Sequence, residues 1–322
     1  MKKRYLFNRM LLPGLILSLL LFNTCKDDKE NPGTSYRVIQ MNYLIDNDLD
    51  AKSIFTYDGE KITLISTFDY GDGDSAKTEV NYPDNNSAVM IDYNYLNVNW
   101  EESFKQEMEF QNENATQIVS YVYIDGIWEL FSKSTFQYTG SNLNEEISYE
   151  YIDGNWIPSR KITYEYNGSK LILSEEYIYQ EDWDLYTKTE FSYNGDKMDD
   201  EIVSSYFDGS FTPESKLEYN YQGGLLMNID CYDYDNGVWD FLGVFMSFTY
   251  DSYGNLATWD EPLLGITNAE FLYEEGKGNI RQIYYSNMGI LGFMTPLPTK
   301  SERNHLYYNR PAIKYLLHYF DF

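Results

Sequence analysis

Between Trp128 and Tyr138 the chain alternates. Trp128, Leu130, Phe136 and Tyr138 hold even positions with Ser132 and Ser134 between them, while Glu129, Lys133, Thr135 and Gln137 hold odd ones. A period of two is the pattern of a β-strand with one apolar and one wet face. Thr139-Gly140 then turns the chain. A second strand is expected from Leu143 to Ile152, with Ile147, Tyr149 and Tyr151 on one face, before Asp153-Gly154 turns it again. Sister segments carry Asp58-Gly59, Asn167-Gly168 and Asn194-Gly195 at the first turn, pairs that predict type I′ hairpins. Asp125-Gly126 and Asp208-Gly209 match the second. Each such segment reads as a β-hairpin.

The hairpin recurs. Lys52, Lys77, Lys105, Lys133, Lys161, Lys188 and Lys216 follow one another at steps of 25, 28, 28, 28, 27 and 28 residues. Five residues after each stands an aromatic anchor: Tyr57, Tyr82, Phe110, Tyr138, Tyr166, Tyr193 and Tyr221. Tyr250 and Tyr273 continue the series without the lysine, which makes nine related units. The expected fold is therefore all-β: an antiparallel meander of about nine 28-residue hairpin repeats forming a long, curled or superhelical sheet. Trp100, Trp128, Trp156 and Trp183 each lie ten residues before an anchor, an even offset that predicts the anchor's own face. Trp239 lies eleven before Tyr250, which predicts a one-residue bulge in that unit.

Charge removes one class of partner. With 24 Lys and Arg against 51 Asp and Glu, the net charge of -27 would repel a phosphate backbone, so no nucleic-acid partner is expected. The two Cys and two His, at 25, 231, 305 and 318, lack the close ligand spacing of a usual Cys/His zinc site, and no cofactor or metal is expected. Asp46, Asp48 and Asp50 have the spacing of a calcium loop, but Ala51 and Tyr57 stand where its Gly and Glu belong. Those acids, and Asp69, Asp72 and Asp74, are expected to be solvated turns.

The N-terminus carries an address. Lys2, Lys3, Arg4 and Arg9 precede an apolar run from Leu11 to Phe22, too short to span a bilayer and of signal-peptide length. Cys25 directly after it resembles the lipidated cysteine of a bacterial lipobox. Lys26-Asp27-Asp28 resembles the surface-export signal of Bacteroidetes lipoproteins. The resemblance implies that Cys25 is acylated, that the lipid membrane is one partner, and that the protein is an outer-membrane lipoprotein facing the cell exterior.

The repeats carry a second resemblance. Phe248-Thr249-Tyr250-Asp251-Ser252-Tyr253-Gly254-Asn255-Leu256 is similar to the YD repeat of Rhs-type proteins, and Phe271 to Ile280 is a looser copy. The whole region resembles Bacteroidetes surface lipoproteins of unknown function built from YD-like hairpins. The expected division is residues 1–24 signal peptide, 25–35 tether, 36–285 repeat domain and 286–322 an irregular, Gly- and Pro-containing capping segment.

Candidate chemistry is thin. Trp100, Trp128, Trp156, Trp183 and Trp239 could stack sugar rings or meet a partner protein, although a sheet curling on its aromatic face would bury them as core. Lysines alternating with acids, such as Lys105 with Glu107 and Glu109, are expected to pair across strands on the wet face. Cys231, His305 and His318 have no evident catalytic partner, and the acids recur with the repeat; Asp260 and Glu261 are the most singular. The expected function is a non-catalytic binding or adhesion module for a glycan or an envelope protein. The alternatives are a glycan hydrolase with its site near the C-terminal units, and a structural spacer.

Overall fold

The computed structural model describes residues 36–45, 48–70, 75–96, 98–112, 114–252, 255–261 and 266–275 of the 322. Cys25, the tether, and the segment from Ser286 lie outside the described residues. The first six strands are β1 (Tyr36–Ile45), β2 (Asp48–Asp58), β3 (Lys61–Asp69), β4 (Ser75–Asp84), β5 (Ser87–Leu96) and β6 (Asn99–Gln111). Then come β7 (Asn114–Ile124), β8 (Ile127–Thr139), β9 (Asn142–Ile152), β10 (Asn155–Asn167), β11 (Lys170–Tyr179) and β12 (Trp183–Asn194). The last six are β13 (Lys197–Phe207), β14 (Ser210–Gln222), β15 (Leu225–Asp235), β16 (Val238–Tyr250), β17 (Leu256–Glu261) and β18 (Ile266–Glu275).

Every consecutive pair is antiparallel, and β18 pairs back onto β1 through Val38↔Tyr273 and Met41↔Phe271. The expected meander is present, and its curl completes a ring: a closed barrel of eighteen strands. Closure removes both sheet edges, which in an open meander would template aggregation. The nine anchors occupy alternate strands from β2 to β18.

Two kinds of turn alternate around the ring. At one rim Asp125 and Gly126 both have positive φ (51° and 84°), the type I′ arrangement. The opposite rim departs from the expected type I′ turns. There Asn167 pairs with Lys170 as the last rung, and Gly168 is the first loop residue, with φ 66°. Positive φ at that first position is the type II′ arrangement.

Two bulges per hairpin set which side chains share a face. In β8 the pairing steps from Ser120↔Ser132 to Tyr121↔Leu130, so Phe131 is the extra residue. In β9 it steps from Gln137↔Glu145 to Tyr138↔Leu143, so Asn144 is extra. β16 steps twice against β15, once more than its sister strands, which is the additional bulge predicted before Tyr250.

The anchor face holds the core. Ile62, Met108, Leu143, Leu171 and Met198 are almost wholly covered, packed with Phe55, Phe136 and Phe191 and flanked by the anchor tyrosines. Five of those tyrosines also staple neighbouring strands. The hydroxyl of Tyr57 donates to the carbonyl of Val38 at 2.8 Å, Tyr82 to Ile62 at 2.9 Å, Tyr193 to Leu171 at 2.9 Å, Tyr250 to Leu226 at 2.7 Å and Tyr273 to Leu256 at 2.8 Å. A buried phenol needs such an acceptor. The same packing explains the YD-like segment. Tyr250 is the staple, Asp251 accepts from the backbone N–H of Asn255 at 2.8 Å and from its side-chain amide at 3.0 Å, and Leu256 is 1% exposed.

Candidate functional site

The tryptophans do not sit on the anchor face. Because Phe131 is an extra residue, Trp128 and Leu130 change sides relative to Ser134 and Phe136, and Trp128 pairs with Tyr123. The corresponding bulges reverse Trp100, Trp156 and Trp183, which pair with Tyr95, Tyr151 and Tyr179. The even offset in sequence therefore becomes an odd one in space.

On this second face the rings form a ladder. Tyr95–Trp100, Tyr123–Trp128, Tyr151–Trp156, Tyr179–Trp183 and Tyr234–Trp239 have centroids 5.1, 4.9, 4.9, 5.2 and 4.8 Å apart, and Tyr206–Phe211 repeats the contact at 5.0 Å. All are tilted or edge-on, the arrangement that ring quadrupoles favour. Each lysine of the repeat lies over rings of this face, two for six of the seven and Phe211 alone for Lys188. Lys105 is 3.9 Å from the Tyr121 centroid and 5.6 Å from that of Trp128; Lys133 is 4.6 Å from Tyr149 and 4.9 Å from Trp156. Lys161 is 4.4 Å from Tyr177 and 5.0 Å from Trp183. The lysines and tryptophans thus build one surface, a cation–π stripe. Trp100 is 42% exposed and Tyr95 40%, and the other four tryptophans of the ladder are half-buried.

Charge on the ladder is arranged mainly along strands, although Lys216 also reaches across to Asp200 at 4.0 Å. Lys105 Nζ meets Glu107 at 2.7 Å, Lys188 meets Glu190 at 2.8 Å and Lys216 meets Glu218 at 3.1 Å, each two residues on in its own strand; Lys77 and Glu79 pair likewise. Neighbouring phenols join in. Tyr121 donates to Glu107 at 2.8 Å, and burial together with that carboxylate pushes its pKa up to about 12.

The anchor face has a polar cluster of its own. Arg160 Nε donates to Glu176 at 2.6 Å, Thr187 donates to the other oxygen of Glu176 at 3.2 Å, and Tyr164 donates to Glu146 at 3.4 Å. Glu146 is 2% exposed, and burial pushes its carboxyl up to about 7 against the pull of Arg160 and Tyr164. Burial likewise raises Asp92 to about 6, with Thr78 donating to it and opposing the shift. Tyr219 and Glu201, bonded at 3.0 Å, repeat the Tyr164–Glu146 pair two units on. These acids break the repeat: Glu146 stands where sister units have Ile118 and Ile229. Sequence reading missed them because the Asn144 bulge puts Leu143 and Glu146 on one face despite their odd spacing. Comparing the columns of the repeat would have shown them.

Of the other sequence candidates, Asp260 and Glu261 end β17, where they pair with Ser247 of β16 and Ile266 of β18, beside the buried Trp259, and Cys231 is buried at 3%. Asp46, Asp72, Asp74, His305 and His318 lie outside the described residues.

No known family profile matches the chain, and no curated protein matches its sequence. Among solved structures it is similar to a porin-like protein from Bacteroides uniformis, at 10% identity over 74% of this chain and 96% of that one, with a TM-score of 0.36. It is also similar to a DUF3836 family protein from Parabacteroides distasonis, at 16% identity over 24% of this chain and 75% of that one, with a TM-score of 0.22. A third likeness, to TcdB2-TccC3, has 11% identity over 66% of this chain and only 15% of that one, with a TM-score of 0.25. Identities and scores this low say nothing of what this chain binds.

Proposed function

We propose that this protein is a non-catalytic binding module of the bacterial cell envelope, tethered through an acylated Cys25, whose aromatic ladder grips a glycan. One observation carries the reading. Aromatic pairs recur at one position in successive hairpins, on the face that does not hold the core, where packing alone does not require tryptophan. Equivalent strands of successive units lie about 9.6 Å apart, comparable with the length of a disaccharide, so a linear sugar chain running around the barrel can meet a pair at each step. Stacking on ring faces and hydrogen bonds to the flanking charged groups are the chemistry sugars offer.

A lipid-spanning role fits less well. A transmembrane barrel needs an outward apolar band about 25 Å tall. Here one face carries Lys105, Glu107, Lys188 and Glu190 in mid-strand, and the other carries Glu146, Arg160, Glu176 and Glu201. Such a barrel is better held by a lipid on its tether. A hydrolase reading would have to recruit the buried acids, and Glu146 at 2% exposure offers a sugar almost no surface.

Titration with oligosaccharides, followed by tryptophan fluorescence, tests the ladder. Trp156→Ala should weaken binding about three- to tenfold, as loss of one stacking ring does, with no change in the circular dichroism of the sheet. Binding that survives loss of both Trp156 and Trp183 would place the ligand elsewhere.

A further inference from the structure

The ladder is not uniform. The residue two after each lysine is Ile54, Glu79, Glu107, Thr135, Thr163, Glu190 and Glu218 in successive units. Where glutamate stands, the lysine is neutralised within its own strand. Lys133 and Lys161 have threonine instead, and among the described residues neither has a carboxylate within salt-bridge distance. Their contacts are aromatic: Tyr149 and Trp156 around Lys133, Tyr177 and Trp183 around Lys161. The acids beside them on this face are engaged elsewhere. Glu145 and Glu175 flank Thr163 from β9 and β11; Glu145 accepts from Gln137 at 3.0 Å and Glu175 from the Tyr177 hydroxyl at 2.7 Å.

Resting on the glycan reading above, we infer that β8 to β12 form the ligand-selecting stretch of the ladder and that the ligand there is an anionic sugar. Its carboxylate or sulfate meets Lys133 and Lys161, and its ring stacks on Trp156. Lys133 and Lys161 are neighbours in the lysine column, each framed by a tyrosine and a tryptophan, in a chain whose net charge is -27; Lys52 also lacks such a glutamate but stands alone, three units away, between Phe68 and Tyr70. An isolated pair of positive charges on so acidic a molecule does not help solubility or steer a polyanion from afar. Within a Debye length of about 8 Å, however, a lysine already oriented by two rings can pair with an anionic group without first leaving a glutamate. The four flanking units, with their Lys–Glu pairs, are electrically balanced and would accept neutral stretches of the same chain.

The test uses the purified full-length protein and three probes: an oligogalacturonate, a sulfated oligosaccharide and a neutral glucose oligomer of equal length. One or both anionic probes should bind about tenfold tighter than the neutral one, and which of them does so separates carboxylate from sulfate. Raising salt from about 0.05 to about 0.5 M should erase the preference. The double variant Lys133→Gln, Lys161→Gln should lose the preference but keep neutral binding, and Lys133→Arg, Lys161→Arg should retain it. Equal affinity for all three probes, or a preference that survives the Gln variant, overturns the charge assignment and leaves the ladder reading standing. If no oligosaccharide binds at all, both readings fall together.

Discussion

At the scale of single residues, the buried acids make the barrel's stability depend on pH with a definite sign. Glu146 has an ordinary pKa near 4.5 in the unfolded chain and about 7 when folded. Between those values the folded state keeps a proton that the unfolded state has released, so stability falls as pH rises through the window and levels off above about 7. Asp92 acts in the same direction between 3.8 and about 6. Glu146→Gln removes the ionisable group while preserving an acceptor for Tyr164. Its stability should match the native protein near pH 4.5 and exceed it near pH 8, by on the order of 3 kcal/mol at most, seen as a higher melting temperature. Melting curves of the two proteins that stay parallel across that range would show that Glu146 does not titrate with folding. Burial works against the charge on Arg160, but Glu176, Glu146 and Tyr164 together more than offset it, so its pKa is raised and it stays charged throughout.

At the scale of the hairpin, the repeat itself was legible because its signals are local. A period of two, a turn dipeptide and an anchor every 28 residues are written in neighbouring positions. The faces were not legible, because a bulge leaves almost no mark in sequence. Phe131, Ser159 and Tyr186 occupy one structural position, which no single residue type marks. The even spacing from Trp128 to Tyr138 thus gives the wrong face, while the extra residue after Trp239 was visible only because one unit differs from its sisters. The lysine column was read correctly as a solvated, charged face, but its partners are the rings of the next two strands, which no intra-strand pattern predicts. A phenol staple adds to the backbone ladder that joins hairpin to hairpin. Tyr193→Phe keeps the ring packing and removes only the bond to the Leu171 carbonyl, so it should cost about 1 kcal/mol in chemical denaturation. A cost indistinguishable from zero would mean that the hydroxyl adds nothing to the ring and the ladder.

At the scale of the whole molecule, closure is what turns a meander into a stable body. An open array of this kind would fray from its first and last strands, whereas here β1 is held on both sides, by β2 and by β18. An ion pair between Arg37 and Glu274 at 2.5 Å and the Tyr57 staple to Val38 mark the seam. Amide hydrogen exchange should therefore find β1 and β18 as protected as β9 and β10; rapid exchange confined to the seam would mean that the ring opens there in solution. The seam also brings Tyr36 opposite Glu275 at one rim, where the described chain enters and leaves side by side. A circle of near-equivalent hairpins whose two loose ends are neighbours has no mechanical beginning. The described barrel could be cut at any tight turn and rejoined at the seam by a short linker, giving a circular permutant with the same neighbours for every strand, and the point at which the chain enters the ring could be moved around the rim without redesigning a single hairpin.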